Sequence, residues 1–143
     1  MVVVGMKELY RDEYFSISVD EEEGFLFYKI YGYPKFSEVI RHGHDELYRI
    51  AQAFKKDQKV LNLVADWTLA KILLTPDIRF IATVSYPRLS KAGLRNLVVL
   101  LPDDVHVKIN LQKTIEFLRP NVFETVKQCS SLEEAREWLR SLA

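Results

Sequence analysis

The stretch Val60-Leu-Asn-Leu-Val-Ala65, "VLNLVA", decides the fold, because it is an almost unbroken apolar run that ends at an acid, Asp66. Strands that are apolar at successive positions are buried on both faces, which is typical of parallel sheets covered by helices. A second run of this kind, "LVVLL", occupies residues 97–101. We therefore predict that the two runs form neighbouring parallel strands of an α/β sheet.

Upstream of this run the chain shows the two-residue period of strands. In "YFSISV", residues 14–19, the apolar residues Phe15, Ile17 and Val19 alternate with a tyrosine and two serines. Residues 25–32, "FLFYKIYG", are rich in aromatic and β-branched side chains, which are enriched in strands. The link between them, "DEEEG" at residues 20–24, is polar and ends in glycine, so the two segments are predicted to form an antiparallel hairpin.

The next segment changes to the spacing of a helix. Its apolar stripe recurs three or four positions apart, at Phe36, Ile40, Gly43, Leu47, Ile50 and Phe54. Glycine inside a helix costs about 1 kcal/mol relative to alanine, so we expect the helix backbone to pack closely on the sheet at Gly43. A second helix is predicted to begin with Thr75 as its N-cap, and Pro87 is predicted to kink it or end it near Tyr86.

The remaining elements complete the predicted topology. A helix is expected after Pro102, and residues 121–129, "NVFETVKQC", are predicted to form the final strand. In the last helix Ser131 and Glu134 have the spacing of a capping box, and its buried stripe is predicted at Ala135, Trp138, Leu139 and Leu142. The order ββαβαβαβα predicts one domain, residues 1–143, with about five strands and about four helices: a STAS-like mixed sheet with an antiparallel N-terminal hairpin and parallel remaining strands.

The composition limits the classes of partner. Lys plus Arg and Asp plus Glu both number 20, whereas nucleic-acid binders usually carry a basic excess, so no nucleic-acid partner is expected. No apolar run approaches the roughly 18 residues of a membrane helix, and "MVVVGMKELYRDE" lacks the pattern of a signal peptide. The single cysteine, Cys129, cannot form an internal disulfide. A soluble, cytoplasmic protein without a membrane span is predicted.

Several segments taken together resemble one known family. After the hairpin come "LVAD" at residues 63–66, "YPRLSKAGLRNLVVLLPDD" at residues 86–104 and "SLEEAREWL" at residues 131–139. In their order and spacing these segments resemble the SpoIIAA-like family of small STAS-type domains, and the resemblance covers nearly the whole chain. It implies a mixed sheet flanked by helices, in a superfamily that includes anti-sigma-factor antagonists and, by fold, the CRAL-TRIO lipid carriers.

The resemblance bears most directly on Asp66. In the antagonists the corresponding strand ends at an acid that is followed by a phosphorylatable serine and a glycine. Asp66 matches the acid, but Trp67 stands where the serine would, and Thr68 is the nearby hydroxyl. Thr68 is therefore the candidate for phosphorylation, although the departure from the pattern favours a structural role in which the carboxylate of Asp66 accepts backbone N–H bonds in the loop.

The loop after Asp66 is unusually apolar. Loops normally run over the surface and are polar, so two interpretations stay open: the loop folds back onto the core, or part of it is an exposed patch for a partner or ligand. It follows the carboxyl end of a central strand, where open α/β sheets bind ligands. The candidate interaction surface comprises Asp66, Trp67, Thr68, Leu69, Ile72, Leu73, Leu74 and Asp77.

Metal and catalytic chemistry find little support. His42 and His44 are two positions apart on a predicted helix and point about 200° apart, so they cannot bind one metal ion as an i, i+4 pair could. His106 has no partner in the sequence, and Cys129 lacks a neighbouring histidine motif. The chain has no glycine-rich phosphate loop and no nucleophile elbow. We expect no metal, no cofactor and no catalytic residue.

Three functional hypotheses follow. The first is a non-enzymatic STAS-like protein-interaction or regulatory module that forms a homodimer or binds a protein partner through the loop. Its preferred contacts are Leu69, Ile72 and Leu73, with Trp67 as an aromatic anchor. The second is a binder or carrier of a small apolar or lipid ligand, as in the CRAL-TRIO proteins, suggested also by Phe80, Tyr86 and Phe117. The third is an enzyme that uses Asp66, for which no general-base partner occurs at a recognisable spacing.

Overall fold

Six strands lie side by side in one sheet in the computed structural model of the protein, which describes residues 5–34 and 36–142. Their spatial order is the same as their order in the sequence. The strands are β1 (Lys7–Arg11), β2 (Phe15–Asp20), β3 (Phe25–Ile30), β4 (Asn62–Asp66), β5 (Asn96–Leu100) and β6 (Thr125–Cys129). Residues 1–4 of the stretch in which no signal peptide was predicted lie outside the described residues.

The direction of the strands confirms the predicted fold class. Strand β2 is antiparallel to both of its neighbours, and strands β3 to β6 are parallel to one another. The two apolar runs are neighbouring parallel strands, since Val64 of β4 pairs with Val98 of β5. The mixed α/β sheet with an N-terminal antiparallel hairpin is therefore present, with one strand more than the sequence predicted.

The additional strand is β1, at the edge of the sheet. Its sequence, "KELYR", carries polar side chains that remain largely exposed. Prediction of a half-buried strand depends on apolar residues at alternate positions, and β1 lacks them. Its pairing with β2 also shifts register between Glu8 and Tyr10. This shift interrupts the alternation of side chains between the two faces of the sheet. The sequence of β1 alone does not identify it as a strand, and its pairing with β2 does.

Helices lie on both faces of the sheet, but in unequal numbers. One face is covered by four helices, and their apolar side chains form a single core with those of β2 to β5. On the opposite face, the last helix is the one helix that the described part of the chain provides. The helices are α1 (Ser37–Lys55), α2 (Thr75–Phe80), α3 (Tyr86–Lys91), α4 (Val105–Phe117) and, alone on its face, α5 (Leu132–Ser141).

Helix α1 packs with its backbone against the sheet, as predicted. A Cβ atom built on Gly43 would lie 2.6 Å from Cγ of the Phe15 ring, so a side chain has no room there. The stripe from Ile40 to Ile50 is buried. Phe36 is a correction to the predicted stripe, since it precedes the helix and is exposed.

The second predicted helix continues past its expected end. A π-helical segment, Ile81–Ser85, joins α2 to α3, and Pro87 lies in the first turn of α3. Proline lacks an N–H donor and its ring crowds the carbonyl four residues earlier; a wider turn before it accommodates both effects. The predicted N-cap was one residue late, because Leu74 holds that position and Thr75 makes no capping hydrogen bond with its side chain.

Helix α5 is joined to the β2–β3 hairpin by an ion network. Arg136 donates to Asp20 at 2.7 Å and to Glu23 at 2.9 Å, and Arg140 also donates to Glu23. Ser131 caps the helix and accepts from the N–H of Glu134 at 3.1 Å, which is one half of the predicted capping box. The Glu134 carboxylate accepts from the N–H and hydroxyl of Ser130 and not from the N–H of Ser131. The apolar stripe is narrower than predicted, because only Ala135 and Leu139 are buried, whereas Trp138 is half-buried and Leu142 is exposed.

Candidate functional site

A groove remains open on the face that α5 covers alone. It lies at the carboxyl ends of β3 and β4, between β1 on one side and the first turn of α5 on the other, and has a volume of about 440 Å³. Ligand sites in α/β sheets occur at this position, and pockets of about 300–1,000 Å³ hold small molecules. The groove is lined by Met6, Glu8, Arg11, Ser16, Ser18, Phe27, Lys29, Tyr31, Asp66, Thr68, Leu69, Leu100, Ser131 and Leu132.

Asp66 lies in the wall of the groove and is fully engaged by its own chain. Its Oδ1 atom accepts from the backbone N–H of Thr68 at 2.8 Å and from the Thr68 hydroxyl at 2.6 Å. Its Oδ2 atom lies 3.3 Å from Nζ of Lys29, which the register of β3 and β4 places directly opposite. The carboxylate therefore shapes the turn after β4, as the sequence favoured, and holds the lysine at the groove.

A second charged group borders the groove on β1. Arg11 donates from Nε to Glu8 at 2.6 Å and from its terminal nitrogen to the Tyr31 hydroxyl at 3.4 Å. These hydrogen bonds, to Tyr31 first, raise the pKa of Arg11 above its usual value. The guanidinium carbon lies 5.3 Å from the centroid of the Tyr31 ring, and Nζ of Lys29 lies 5.6 Å from the same centroid. One aromatic ring thus orients two cations.

The rest of the groove is apolar. Met6, Phe27 and Leu100 belong to the buried core beneath α5, and Leu132 packs against it. Leu69 also lines the groove, beside Thr68, and is 53% exposed. The site therefore combines apolar side chains with hydroxyl and charged groups, the usual composition of a small-molecule site. The register of the strands places Arg11 and Lys29 in one row across the sheet, so the two cations lie at the same end of the groove.

The loop after β4 is divided between core and surface. Trp67 and Leu73 are buried in their own domain, so the prediction that they contact a partner is wrong for these two residues. The carboxyl group of Asp77, in the first turn of α2, is also buried and not available to a partner. The exposed candidates are Leu69, Ile72 and Leu74, with Thr68 half-buried.

Hydrogen bonds explain why the loop turns inward. The indole N–H of Trp67 donates to the Tyr28 hydroxyl at 3.4 Å, and that hydroxyl is hydrogen-bonded to Tyr86. The N–H of Leu73 donates to Oδ1 of the buried Asn110 at 2.9 Å. Each bond satisfies a polar group that burial would otherwise leave without a partner. Between these two anchors, Leu69, Lys71 and Ile72 are exposed, whereas Ala70 is buried in the same core.

A serine and a histidine meet in the interior, away from the groove. Nδ1 of His44 lies 2.5 Å from the Ser85 hydroxyl, and both residues are completely buried. Burial, with a smaller effect of the Arg88 charge, lowers the pKa of His44 to about 3. Four aromatic rings surround the imidazole at 5.1 to 6.2 Å. A substrate would have to displace the core to reach the pair.

The remaining candidates for metal or thiol chemistry lie in different parts of the protein. The imidazole of His42 is exposed while that of His44 faces the core, and Cys129 is buried under α5. Burial raises the pKa of the Cys129 thiol, and Glu134 adds to the effect. Within residues 5–34 and 36–142 no three His, Cys, Asp or Glu side chains gather as a metal site. No helix in that part of the chain is long and apolar enough to cross a membrane.

Comparisons with known proteins give no match: neither a protein-family model nor a curated protein sequence matches this chain. The resemblance to the SpoIIAA-like family therefore stays a prediction. The groove and its charges carry the functional argument.

Most groove residues were not predicted from the sequence. The missed residues include Glu8 and Arg11 on β1, Ser16 and Ser18 on β2, and Lys29 on β3. One signal could have revealed part of the set: Lys29 interrupts the otherwise aromatic and aliphatic strand "FLFYKI", and a buried strand tolerates a lysine only with a partner or an opening to solvent. The serines of β2 alternate with its core residues and so share that face.

Proposed function

We propose that the protein is a non-enzymatic binding module that holds a small molecule in the groove between β1 and α5. The groove itself carries this proposal, because an opening of about 440 Å³ with an apolar floor and convergent polar groups fits a small amphiphilic ligand. The groove lies at the surface, whereas the Ser85–His44 pair is completely buried in the core, so the groove is the better place for a small molecule.

The proposal moves the ligand site away from the aromatic residues that the sequence suggested. Tyr86 is buried and hydrogen-bonded to Tyr28, and the ring of Phe117 packs at the edge of the same core beneath the Arg79 guanidinium. A close-packed core of this kind has no room for a ligand. A small molecule is better accommodated on the opposite face, where one helix covers a sheet of six strands.

The test is a fluorescence titration with phenylnaphthylamine, an uncharged probe that becomes bright in apolar sites. We expect saturable binding to the wild type and loss of binding in Ser18→Trp, which fills the groove from β2. Thr83→Trp is the matched control, because Thr83 is exposed in the π-helical segment. Thermal melts confirm that both variants fold. Equal binding by Ser18→Trp, or none by the wild type, would contradict the proposal.

A second function is supported by the exposed part of the loop. Leu69, Ile72 and Leu74 are 53%, 50% and 43% exposed, and neighbouring exposed apolar side chains are typical of protein interfaces. We propose self-association as this alternative, since two-fold dimers are the commonest oligomers. The SpoIIAA-like resemblance is consistent with an interaction or regulatory module of this kind.

Sedimentation of Ile72→Asp and the wild type tests the alternative. If the loop forms a dimer interface, the wild type sediments as a dimer and Ile72→Asp as a folded monomer. Lys71→Asp, a neighbouring exposed position, controls for the effect of added negative charge. A wild type that stays monomeric at high concentration would eliminate self-association and leave the ligand-binding function untouched.

A further inference from the structure

We infer that the ligand of the groove is a small organic anion, a carboxylate, sulfonate or phosphate with an apolar body, and that Lys29 and Arg11 bind its charged group. This inference rests on the proposed function and specifies its ligand. Both cations line the groove, and both lie against the Tyr31 ring. Their placement at one end of an apolar floor matches a molecule whose charge is also at one end.

The number of unused N–H donors favours a negative group at the end of the groove where Lys29 and Arg11 lie. A lysine ammonium has three N–H donors and a guanidinium has five. Among the residues that the structure describes, Lys29 forms an ion pair with Asp66 alone, and Arg11 uses donors on Glu8 and Tyr31. The cations therefore keep donors that their own carboxylates do not occupy. An incoming anion can bind these donors without breaking either pair.

In the Lys29–Asp66 pair the acid is less available to a ligand than the base. The side chain of Asp66 is 6% exposed, compared with 23% for Lys29, and its Oδ1 already accepts two hydrogen bonds from Thr68. Glu8 also lines the groove and is as exposed as Arg11, at 44% and 43%, and its Oε1 atom accepts a hydrogen bond from that arginine. At the end of the groove beside β4, the more exposed partner of the ion pair is Lys29, so a negative group is the charge that fits there.

Hydroxyl groups complete the polar end of the groove. Ser16 and Tyr31 share a hydrogen bond at 3.2 Å, and Ser18 lies on the same face of β2. Hydroxyls both donate and accept, so they add directional contacts to the oxygens of an acid group. Phe27, Leu100 and Leu132 supply the surface for the apolar body.

The experiment compares two probes that differ by one charged group: anilinonaphthalene sulfonate and uncharged phenylnaphthylamine. Charge-assisted hydrogen bonds are stronger than neutral ones, so we expect the sulfonate to bind at least about tenfold more tightly, a difference of roughly 1.4 kcal/mol. Raising the salt concentration should reduce this preference, because partly exposed charges are screened. Decanoate should displace the sulfonate at a concentration about tenfold lower than decanol.

Variants assign the preference to the two cations. Lys29→Met and Arg11→Met should each reduce sulfonate affinity several-fold while phenylnaphthylamine affinity stays the same. Lys29→Met leaves Asp66 without its cation, so the double variant Lys29→Met/Asp66→Asn is included to keep the strand pair neutral and folded. Lys7→Met is the matched control, because Lys7 lies on β1 and does not line the groove.

The outcomes separate the two proposals. If both probes bind the wild type equally, the anion inference is overturned and the ligand-binding function stands. If neither probe binds, both proposals fail together. Unchanged sulfonate affinity in the Lys29 and Arg11 variants would also overturn the inference. Displacement of the sulfonate by decanoate but not by phosphatidylglycerol vesicles would assign a free acid, and displacement by the vesicles a lipid headgroup.

Discussion

Gly43 of α1 lies directly against the ring of Phe15 on β2: a Cβ atom at Gly43 would be 2.6 Å from Cγ of that ring and 2.8 Å from each neighbouring ring carbon. No real Cβ atom makes contacts this short, so the helix reaches the sheet only because position 43 has no side chain. The contact fixes the height of α1 above the sheet.

Gly43→Ala is therefore expected to destabilise the protein although alanine is the better helix former. The steric cost of overpacking is about 1–3 kcal/mol, against a gain of up to about 1 kcal/mol in helix propensity. Urea denaturation of the variant measures the net loss. Phe15→Leu in the Gly43→Ala background should recover part of it, because the smaller side chain makes room. A stabilised Gly43→Ala would show that the helix packs farther from the sheet.

Leu73 and Leu69 should respond in opposite ways to the same substitution. Leu73 is 3% exposed, so Leu73→Asp buries an unpaired charge and should cost several kcal/mol or prevent folding. Leu69 is 53% exposed, and Leu69→Asp should change stability by about 0.5 kcal/mol or less. Thermal melts of both variants decide the matter. Equal effects would mean that the division of the loop between core and surface is wrong.

The buried imidazole of His44 predicts a pH dependence of stability. Its pKa is lowered from 6.5 to about 3. Between these two pH values the imidazole is therefore protonated in the unfolded chain but neutral in the folded chain. The contribution of the neutral imidazole to the free energy of unfolding is present in full above pH 6.5 and is lost as the pH falls toward 3. The free energy of unfolding changes by at most about 1.4 kcal/mol per pH unit through this group. Urea melts at pH 7, 6 and 5 should therefore show a flatter dependence in His44→Gln than in the wild type.

His42→Gln is the matched control for this measurement, because it removes an exposed histidine from the same helix. It should follow the wild-type dependence on pH. If His44→Gln and the wild type change in parallel, then the imidazole of His44 is reached by water in the folded protein.

The two arginines of α5 should contribute unequally. The side chain of Arg136 is 17% exposed and pairs with Asp20, which is almost completely buried. Removing a partner from a buried pair leaves a charge uncompensated, so Arg136→Met should cost about 1–3 kcal/mol. Arg140 is 60% exposed, and Arg140→Met should cost about 1 kcal/mol or less. Similar losses in denaturant melts of the two variants would contradict this division.

The sequence predicts the fold better than the site for a physical reason. Strands β4 and β5 are recognisable because their apolar runs reflect burial on both faces, which is a local pattern. Strand β1 has no such pattern, since an edge strand that stays exposed carries polar residues. A periodic pattern can be recognised within a single segment, whereas an edge strand of a sheet is identified by the strand with which it pairs.

The groove depends on a property that no single segment contains. It exists because, within residues 5–34 and 36–142, α5 is the one helix on its face of the sheet, and it gathers residues from β1 to β5 and from the first turn of α5. The prediction for the Asp66 loop named the end of the sheet at which the groove lies, but not which side chains of the loop face outward. Trp67 and Leu73 turn inward through hydrogen bonds to Tyr28 and Asn110, partners that lie 39 and 37 positions away in the sequence.

The agreement between spatial and sequential strand order has a consequence for how the chain acquires its structure. From β2 onward, each strand pairs with the strand immediately before it in the sequence. That partner has therefore already been synthesised when the strand leaves the ribosome. The β1–β3 meander needs only short loop closures, and each later strand adds at the growing edge after a single helical crossover. The sheet can therefore assemble during synthesis in one direction, without inserting a late strand between two earlier ones.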